Sequence, residues 1–415
     1  MFDEDQEPVA GLEVYALRIS FLRGGRREIN AVSRAVTDDQ GNFRIANMQP
    51  GRYYIRAGGL IERPMKQVAL KQGPGGRLEY RDTYYPGTPL LDEAQPIDIR
   101  SGIEMNNIRF AVTTEKTYTV SGKVVYPDKH SGPKFSDISV TRWSDAAEQQ
   151  MFGFAHGVSQ YPDGSFTVWG LSPSEYTLTA KRITNDGKEV DEGFALVRIV
   201  DSDARAEIEI GRAAEVRGKL EAPPGVSFGS KQIILETHGS EYYPAKVNSS
   251  RRFDIANIPP GEYALSMMEA GDGPELTYMQ KATCAGKDYT LQPLVLGVGT
   301  ALDCEVLIAD DTGVVTGQVM DGEKPASGLI VVLVPQSLEL RRIPRYTLTA
   351  KADATGRYKI AGVIPGEYLL FAVFPSDDHP YFALDFADRN QGNAAHISVD
   401  PRGRQSIDLK PLQGP

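Results

Sequence analysis

Side chains that could perform chemistry are few in this chain of 415 residues, and they lie far apart. None of the five histidines belongs to a His-Glu-x-x-His motif or has a second ligand at metal-binding spacing, and no Gly-x-Ser-x-Gly nucleophile motif is present. The histidines are His130, His156, His238, His379 and His396. We therefore expect no enzymatic activity, no cofactor and no metal.

Adjacent carboxylates stand near glycines in two places, residues 37–42 and 308–313. An EF-type calcium loop needs oxygen ligands at alternate positions and a distal glutamate, and neither stretch supplies them. Aspartate and glycine are also the residues that tight turns select, so a turn is the favoured interpretation of both stretches.

Aromatic residues provide the one ligand signal. Neighbouring residues of a strand point to opposite faces, so a pair of tyrosines within a strand leaves one ring outside if the other is in the core. Exposed rings could stack on sugar rings or on another protein, and the alternative is that one ring is core and the other covers a sheet edge. The candidate ligand-contact residues are Tyr54, Tyr84, Tyr85, Trp143, Trp169, Tyr242 and Tyr243.

Cys284 and Cys304 are the only cysteines and flank a predicted pair of strands. A disulfide between them would close a loop of about 20 residues and stabilise the fold by roughly 3 kcal/mol. Two buried free thiols are the alternative, because the sequence does not show the distance between the two Cα atoms.

Four copies of one pattern indicate which elements carry these residues. Each copy has a polar turn, an aromatic that begins an alternating segment, and a Pro-Gly-x-Tyr-like end whose tyrosine begins the next strand. The copies end in IANMQPGRYYI (45–55), VWGLSPSEYTL (168–178), IANIPPGEYAL (255–265) and IAGVIPGEYLL (360–370), and the aromatics are Phe43, Phe166, Phe253 and Tyr358.

Two copies depart from the shared pattern. The second copy has Ser174 at the position of the turn glycine, and the third has Asn-Ser-Ser-Arg-Arg (248–252) in place of Asp-x-x-Gly. We expect these two hairpins to use other turn geometries.

A second marker, close to Val-x-Gly-x-Val, precedes each of the last three copies, and its spacing of about a hundred residues gives a domain period. It occurs at 120–124, 216–220 and 315–319. The glycine suits a bulge or a close approach within an opening strand. The pattern predicts an all-β chain of four β-sandwich domains in an elongated array, with boundaries at 1–113, 114–212, 213–311 and 312–415.

The first copy lacks this opening marker. Residues 1–17 align with residues 319–335, which places Met1 opposite Val319. We expect an upstream strand, and with it an export signal, to precede residue 1 in the natural protein.

The combination of Val-x-Gly-x-Val, Asp-x-x-Gly-x-Phe and Pro-Gly-x-Tyr resembles the carboxypeptidase regulatory-like domain. YRDTYYPGT (80–88) and LLFAVFPSDDHPYF (369–382) are similar to segments of long bacterial proteins built from such domains. The resemblance implies an Ig-like, transthyretin-like sandwich, grouped with carbohydrate-binding-like (starch-binding-like) folds. It also implies non-catalytic modules of secreted or cell-surface proteins.

Charge limits the classes of partner. The net charge of −10 is unlike that of nucleic-acid-binding or anionic-membrane-binding proteins, and no apolar run approaches the ~20 residues of a transmembrane helix. We expect an extracellular, periplasmic or cell-surface scaffold with a protein or cell-envelope partner, and self-association through sheet edges is compatible with it. The alternative is a carbohydrate-binding module array whose partner is a polysaccharide.

Overall fold

A computed structural model describes residues 1–58, 72–73, 76–125, 136–143, 157–183, 190–210, 213–237, 242–259, 261–269, 276–297 and 299–412. The chain divides into two compact units, the first comprising 1–19 and 28–211 and the second 20–27 and 212–415. In the described part of both units the regular structure is almost entirely strand.

The first unit contains three sheets. Its strands are β1 (Glu13–Phe21), β2 (Arg27–Val36), β3 (Gly51–Ala57), β4 (Gln72–Gly73), β5 (Gly76–Tyr80), β6 (Thr83–Tyr84), β7 (Ile97–Ile99), β8 (Thr114–Val125), β9 (Ser136–Trp143), β10 (Gly157–Gln160), β11 (Ser165–Leu171), β12 (Ser174–Ile183), β13 (Val190–Ile199) and β14 (Ala204–Glu209). The strand orders are β2-β1-β3-β6 with β7 also on β3, β10-β11-β8-β5-β4 with β14 also on β8, and β13-β12-β9. The tip of the β1–β2 hairpin belongs to the second unit.

The second unit repeats a pair of sheets. Its strands are β15 (Ala214–Glu221), β16 (Lys231–Glu236), β17 (Tyr242–Lys246), β18 (Arg252–Ile258), β19 (Gly261–Glu269), β20 (Tyr278–Cys284), β21 (Lys287–Asp288), β22 (Leu294–Leu296), β23 (Ala301–Ala309), β24 (Gly313–Gln318), β25 (Met320–Asp321), β26 (Lys324–Pro325), β27 (Ile330–Pro335), β28 (Leu348–Lys351), β29 (Arg357–Val363), β30 (Gly366–Val373), β31 (Ala395–Val399) and β32 (Arg404–Ser406). Two short helices, α1 (Leu338–Arg341) and α2 (Phe386–Arg389), lie in its C-terminal half. The orders are β18-β15-β23-β20-β21 with β17-β16-β19-β22, and β29-β24-β32 with β28-β27-β30-β31, beside the hairpin β25-β26.

Four large apolar cores lie along the chain. They extend over residues 1–112 and 118–210 in the first unit, and over 214–308 and 315–409 in the second. The cores of 118–210, 214–308 and 315–409 each take buried side chains from strands of different sheets, which is the arrangement of a β-sandwich. The all-β sandwich class is confirmed, and the four domain boundaries stay a prediction.

The opening strand that carries the glycine marker pairs in parallel with the closing strand of the same core. This holds for β8 with β14, β15 with β23, and β24 with β32. Near the chain start, Phe2 and Ala111 form a parallel bridge of the same kind. The other edge of each opening strand pairs with the strand that begins at the repeated aromatic.

The marker glycine and the repeated aromatic are direct cross-strand partners. The pairs are Gly122 with Phe166, Gly218 with Phe253, and Gly317 with Tyr358. A Cβ atom at position 218 would lie 2.4 Å from the Phe253 ring and 2.5 Å from the Cys304 carbonyl oxygen. The ring fills the space above the glycine, so the two markers recur together because they form one packing unit.

The first copy differs in this region. Phe43 and Ile45 are half-buried and alternate with exposed residues, yet 43–49 do not form a strand. In the other copies the alternating segment pairs with the strand that holds the glycine marker, and the first copy lacks that marker.

The turns before the aromatics share one geometry, which corrects the expectation for the third copy. The Asp38 carboxylate accepts bonds from the backbone of Gln40 and Asn42, and the Asn248 amide oxygen accepts the equivalent pair from Ser250 and Arg252. The left-handed position is held by Gly41, Gly164 and Gly356 at φ of 72°, 83° and 74°, and by Arg251 at 61°. A non-glycine residue tolerates this conformation at modest cost, so the Asn248 side chain preserves the turn without glycine.

The aspartates of these turns are held in the ionised form. Hydrogen bonds from the second and fourth residues after them lower the pKa of Asp38 and Asp353, and the hydroxyl and N–H of Ser165 lower the pKa of Asp163. The carboxylates therefore act as turn acceptors.

Every copy buries its final tyrosine in the same way. The four hydroxyls donate to the carbonyl oxygen four residues earlier: Tyr53 to Gln49 (2.8 Å), Tyr176 to Ser172 (2.8 Å), Tyr263 to Pro259, and Tyr368 to Ile364 (2.7 Å). The rings are 1–3% exposed, and burial raises the pKa of Tyr368. This tyrosine corner joins the turn to the core, and the second copy keeps it although Ser174 replaces the glycine.

Replacing Gly218 by alanine should destabilise its domain by about 1–3 kcal/mol, because the new methyl group overlaps the Phe253 ring and a backbone oxygen. Gly229→Ala is the matched control, since nothing lies within 4 Å of the place that its new Cβ atom would take. Urea unfolding of both variants measures the difference, and equal midpoints would contradict this packing of glycine against the ring.

Removing the hydroxyl in Tyr263→Phe should cost about 1–2 kcal/mol, because the part-buried Pro259 carbonyl loses its donor. Tyr242→Phe serves as the control in the same domain, since that ring is 62% exposed. The comparison is again made by urea unfolding, and a loss of the same size in both variants would exclude a special role for the corner.

Candidate functional site

The candidate tyrosines of the first unit lie mainly within packed surfaces. Tyr84 is 8% exposed and belongs to a small cluster with Tyr15 and Leu17, against which the half-buried Tyr54 packs. Tyr85 is half-buried, and its ring meets the buried Phe110 edge-on at 5.9 Å between centroids. None of these three rings presents an open face of the size that sugar stacking needs.

The two tyrosines of β17 divide as strand geometry requires. Tyr243 packs on the core and meets Tyr263 edge-on at 5.8 Å, whereas Tyr242 is 62% exposed. The inner ring therefore supports the tyrosine corner, and the outer ring faces solvent.

The two tryptophans complete the set of candidates. Trp169 is half-buried and stands opposite Gly157, where a Cβ atom would lie 1.9 Å from its ring. Trp143 ends β9, and its side chain lies outside the described residues. Among the candidates with described side chains, Tyr242 is the single exposed ring, so these rings do not form a shared platform.

A buried arginine of the first unit, Arg56, belongs to no motif that the sequence analysis identified. Arg56 Nη2 lies 2.6 Å from Asp82 Oδ1, and its guanidinium lies over the Tyr15 ring at 5.7 Å. The Tyr15 hydroxyl donates to Glu13, and burial together with this bond raises the pKa of Tyr15 to about 12. The Arg56 charge is paired with the Asp82 carboxylate, as a buried charge requires. We therefore assign this network a structural role.

Two buried cations of the second unit are likewise engaged. Lys231 Nζ lies 3.0 Å from Glu269 Oε1 and 2.7 Å from Thr277 Oγ1. Arg341 donates to Asp388 Oδ1 at 2.8 Å and to three backbone carbonyls between 2.8 and 3.1 Å. Both side chains therefore have structural partners in place of a substrate.

The adjacent aspartates at 310–311 form the joint between two cores. The Tyr278 hydroxyl donates to Asp311 Oδ1 at 3.0 Å, and Arg402 N donates to the Asp311 carbonyl at 2.7 Å. The Arg402 guanidinium also lies 3.2 Å from Asp310 Oδ1. Burial, reinforced by Asp311, raises the pKa of Tyr278, so the linker is held from both of the cores it connects.

A second joint lies in the first unit, where β8 of the core of 118–210 pairs with β5, whose Tyr80 packs against the core of 1–112. Residues 114–117 of β8 pair with β5, and residues 118–125 pair with β11 and β14. β8 therefore connects the core to which it belongs with a strand that borders the preceding core.

The described residues also bear on two further classes of feature, metal centres and membrane spans. They contain no group of three or more His, Cys, Asp or Glu side chains arranged to hold a metal ion. No helix among them combines the length and the apolar character of a membrane span.

The two cysteines are direct partners across β20 and β23, with a Cα–Cα distance of 4.1 Å and the sulfurs paired as a disulfide. Both side chains are buried, at 0% and 3% exposure, inside the core of 214–308. The bond ties two neighbouring strands of one sheet.

No family model matches the chain. A 108-residue part is 35% identical to chitinase ChiA of Flavobacterium johnsoniae, and this part is 26% of the chain and 6% of that enzyme. The chain thus spans a small fraction of the length of this curated relative.

Solved structures that resemble the chain include three proteins of Gram-positive bacteria. The Bacillus anthracis TIE protein aligns at TM-score 0.20 and 10% identity, covering 97% of this chain and 68% of that one. A streptococcal ancillary pilin gives 0.22 and 9%, covering 72% and 99%, and the minor pilin of Streptococcus agalactiae gives 0.23 and 12%, covering 49% and 98%. Superpositions at these scores do not define a function.

Replacing both cysteines by alanine should destabilise the domain by about 3 kcal/mol, since the disulfide closes a loop with a sequence separation of 20. Urea unfolding with and without reductant tests this. Reductant should shift the midpoint of the natural chain and leave the double variant unchanged, and an unchanged midpoint in the natural chain would contradict a stabilising disulfide.

Proposed function

We propose that this chain is a non-catalytic scaffold, a tandem array of carboxypeptidase regulatory-like β-sandwich domains with stiff joints within each unit, in a bacterial surface or secreted protein. The observation that carries the proposal is the construction of the joints. In the first unit, β8 of one core pairs with β5 at the border of the other core, and in the second unit the linker between the cores is hydrogen-bonded on both sides. Flexible linkers of glycine and serine would leave such cores free to reorient.

The use of the repeated residues supports the same role. The glycine, the aromatic and the final tyrosine of each marker are committed to packing, and the buried cations are matched by carboxylates and carbonyls. A repeat whose characteristic residues all serve the core is a spacer module, and contact with a partner is left to edges and loops.

The aromatic residues favour the scaffold over the carbohydrate-binding array. Stacking on a polysaccharide requires several open rings on one face, and the described candidates offer one, Tyr242. The similarity to a chitinase covers 6% of that enzyme, too little to transfer its substrate to this chain.

The disulfide supports a location outside the cytosol. Structural disulfides form and persist in oxidising compartments such as the periplasm and the cell surface. A buried Cys284–Cys304 pair inside a domain core is of this structural kind.

Stiffness of the joint can be measured in the full chain. Labels on Cys residues introduced at the exposed Lys246 and Lys359 report the distance between the cores of 214–308 and 315–409. We expect a narrow distance distribution that broadens when Tyr278→Phe and Arg402→Ala remove the side-chain contacts to Asp311 and Asp310. Pulsed electron-spin distance measurement reads the width directly.

The matched control combines Tyr242→Phe with Arg404→Ala, which makes the same chemical changes at exposed positions. It should leave the distribution narrow. A natural chain that already shows a broad distribution, or a joint variant as narrow as its control, would remove the basis of the scaffold proposal.

A further inference from the structure

The long edge strand β2 is unusually open. It contains 10 residues, lies at the end of its sheet, and has β1 as its one neighbour among the described strands. Most of the segment 30–36 is exposed, including Val32 at 47% and Val36 at 55%. An exposed edge of this length offers a row of backbone donors and acceptors to another strand.

Most other edges among the described strands carry some form of protection. β17 contains Pro244 and Lys246, and most of the remaining edge strands have seven residues or fewer. The longer β13 is approached by the end of β14, since a Cβ atom at Gly193 would lie 2.2 Å from the Glu209 carbonyl oxygen. Proline, lysine, short length and covering segments are the usual means of blocking edge pairing.

β2 lacks these devices between Ile29 and Val36. The segment contains neither proline nor lysine, and its one charged residue is Arg34. The Arg34 guanidinium lies 3.2 Å from Glu13 Oε1 on the adjacent strand β1. The side chain is therefore directed toward β1 and not outward from the sheet edge. Small and β-branched residues occupy most of the other positions, which suits close approach of a second strand.

We propose that β2 binds the β2 strand of a second copy of this chain in antiparallel register, with the two-fold axis at Ala31. In this register Glu28 of each copy stands opposite Arg34 of the other, and Arg27 stands opposite Ala35, so the charges of β2 that oppose each other directly are of unlike sign. The Arg34 side chain is 61% exposed and has five N–H donors, enough for a second carboxylate beside Glu13.

Self-complementarity is the reason to choose a second copy as the occupant. A two-fold axis through an antiparallel strand pair produces an isologous interface, in which each contact occurs twice. Two Glu28–Arg34 pairs and a small residue at the axis favour this pairing, and directly opposed charges of like sign are absent from the register. The pairing extends the scaffold role by joining copies side by side.

Cross-linking tests the register in the full chain. Ala31 is exposed, and Ala31→Cys places two thiols opposite each other at the axis, within disulfide reach. Val36→Cys, also exposed, lies five residues from the axis and is the matched control. Mild oxidation should convert the Ala31→Cys chain to a covalent dimer and leave the Val36→Cys chain mostly monomeric, because the thiols at position 36 are not opposite each other in this register. The native disulfide is buried and does not exchange with the new thiols.

Sedimentation equilibrium supplies an independent measurement without new thiols. Val32→Lys should weaken self-association by about tenfold or more, since lysine on an edge strand opposes pairing. Leu196→Lys changes a residue that is 69% exposed on β13 and should leave association unchanged. Circular dichroism checks that each variant remains folded.

Three results would overturn the proposal: a chain that stays monomeric at high concentration, equal cross-linking at positions 31 and 36, or a dimer that Val32→Lys does not weaken. A monomer that instead captures an extended peptide along β2 would show that the edge receives a different partner. These outcomes are separate from the joint measurement, so failure of self-pairing leaves the scaffold proposal to its own test.

Discussion

A buried tyrosine hydroxyl that bonds to the carbonyl four residues earlier is the contact on which each repeated unit depends. The turn before the tyrosine would otherwise place a backbone acceptor at the rim of the core without a donor. The hydroxyl supplies that donor while the ring fills the space between the sheets. One side chain thus satisfies the turn and packs the core, which explains why the tyrosine recurs in all four copies.

The glycine marker and the aromatic extend this arrangement to the opposite sheet. Gly218 lies between the Phe253 ring on one side and the Cys304 carbonyl of the parallel strand on the other. A side chain at this position would separate both neighbours. Glycine is therefore required where three strands pack closely together. The parallel pairing of the first and last strands completes the repeat.

The same commitment of residues to packing shapes what the protein offers to partners. Rings and cations that could have bound a ligand are largely engaged, as in Tyr243 against Tyr263 and Arg56 beside Asp82. The features left for recognition are sheet edges and loops. This distribution suits a protein whose work is presentation and spacing.

The sequence by itself determined the sandwich class, the repeated turns and the parts of each marker, because these follow from alternation and turn chemistry within a dozen residues. It misjudged the 248–252 turn, since the ability of Asn248 and Arg251 to replace aspartate and glycine depends on backbone geometry. Tertiary structure alone decided which tyrosine ring faces solvent, that Cys284 and Cys304 are opposite each other, and that Arg56 meets Asp82. Those outcomes depend on contacts between residues distant in the chain, and a local pattern does not specify which strands become neighbours.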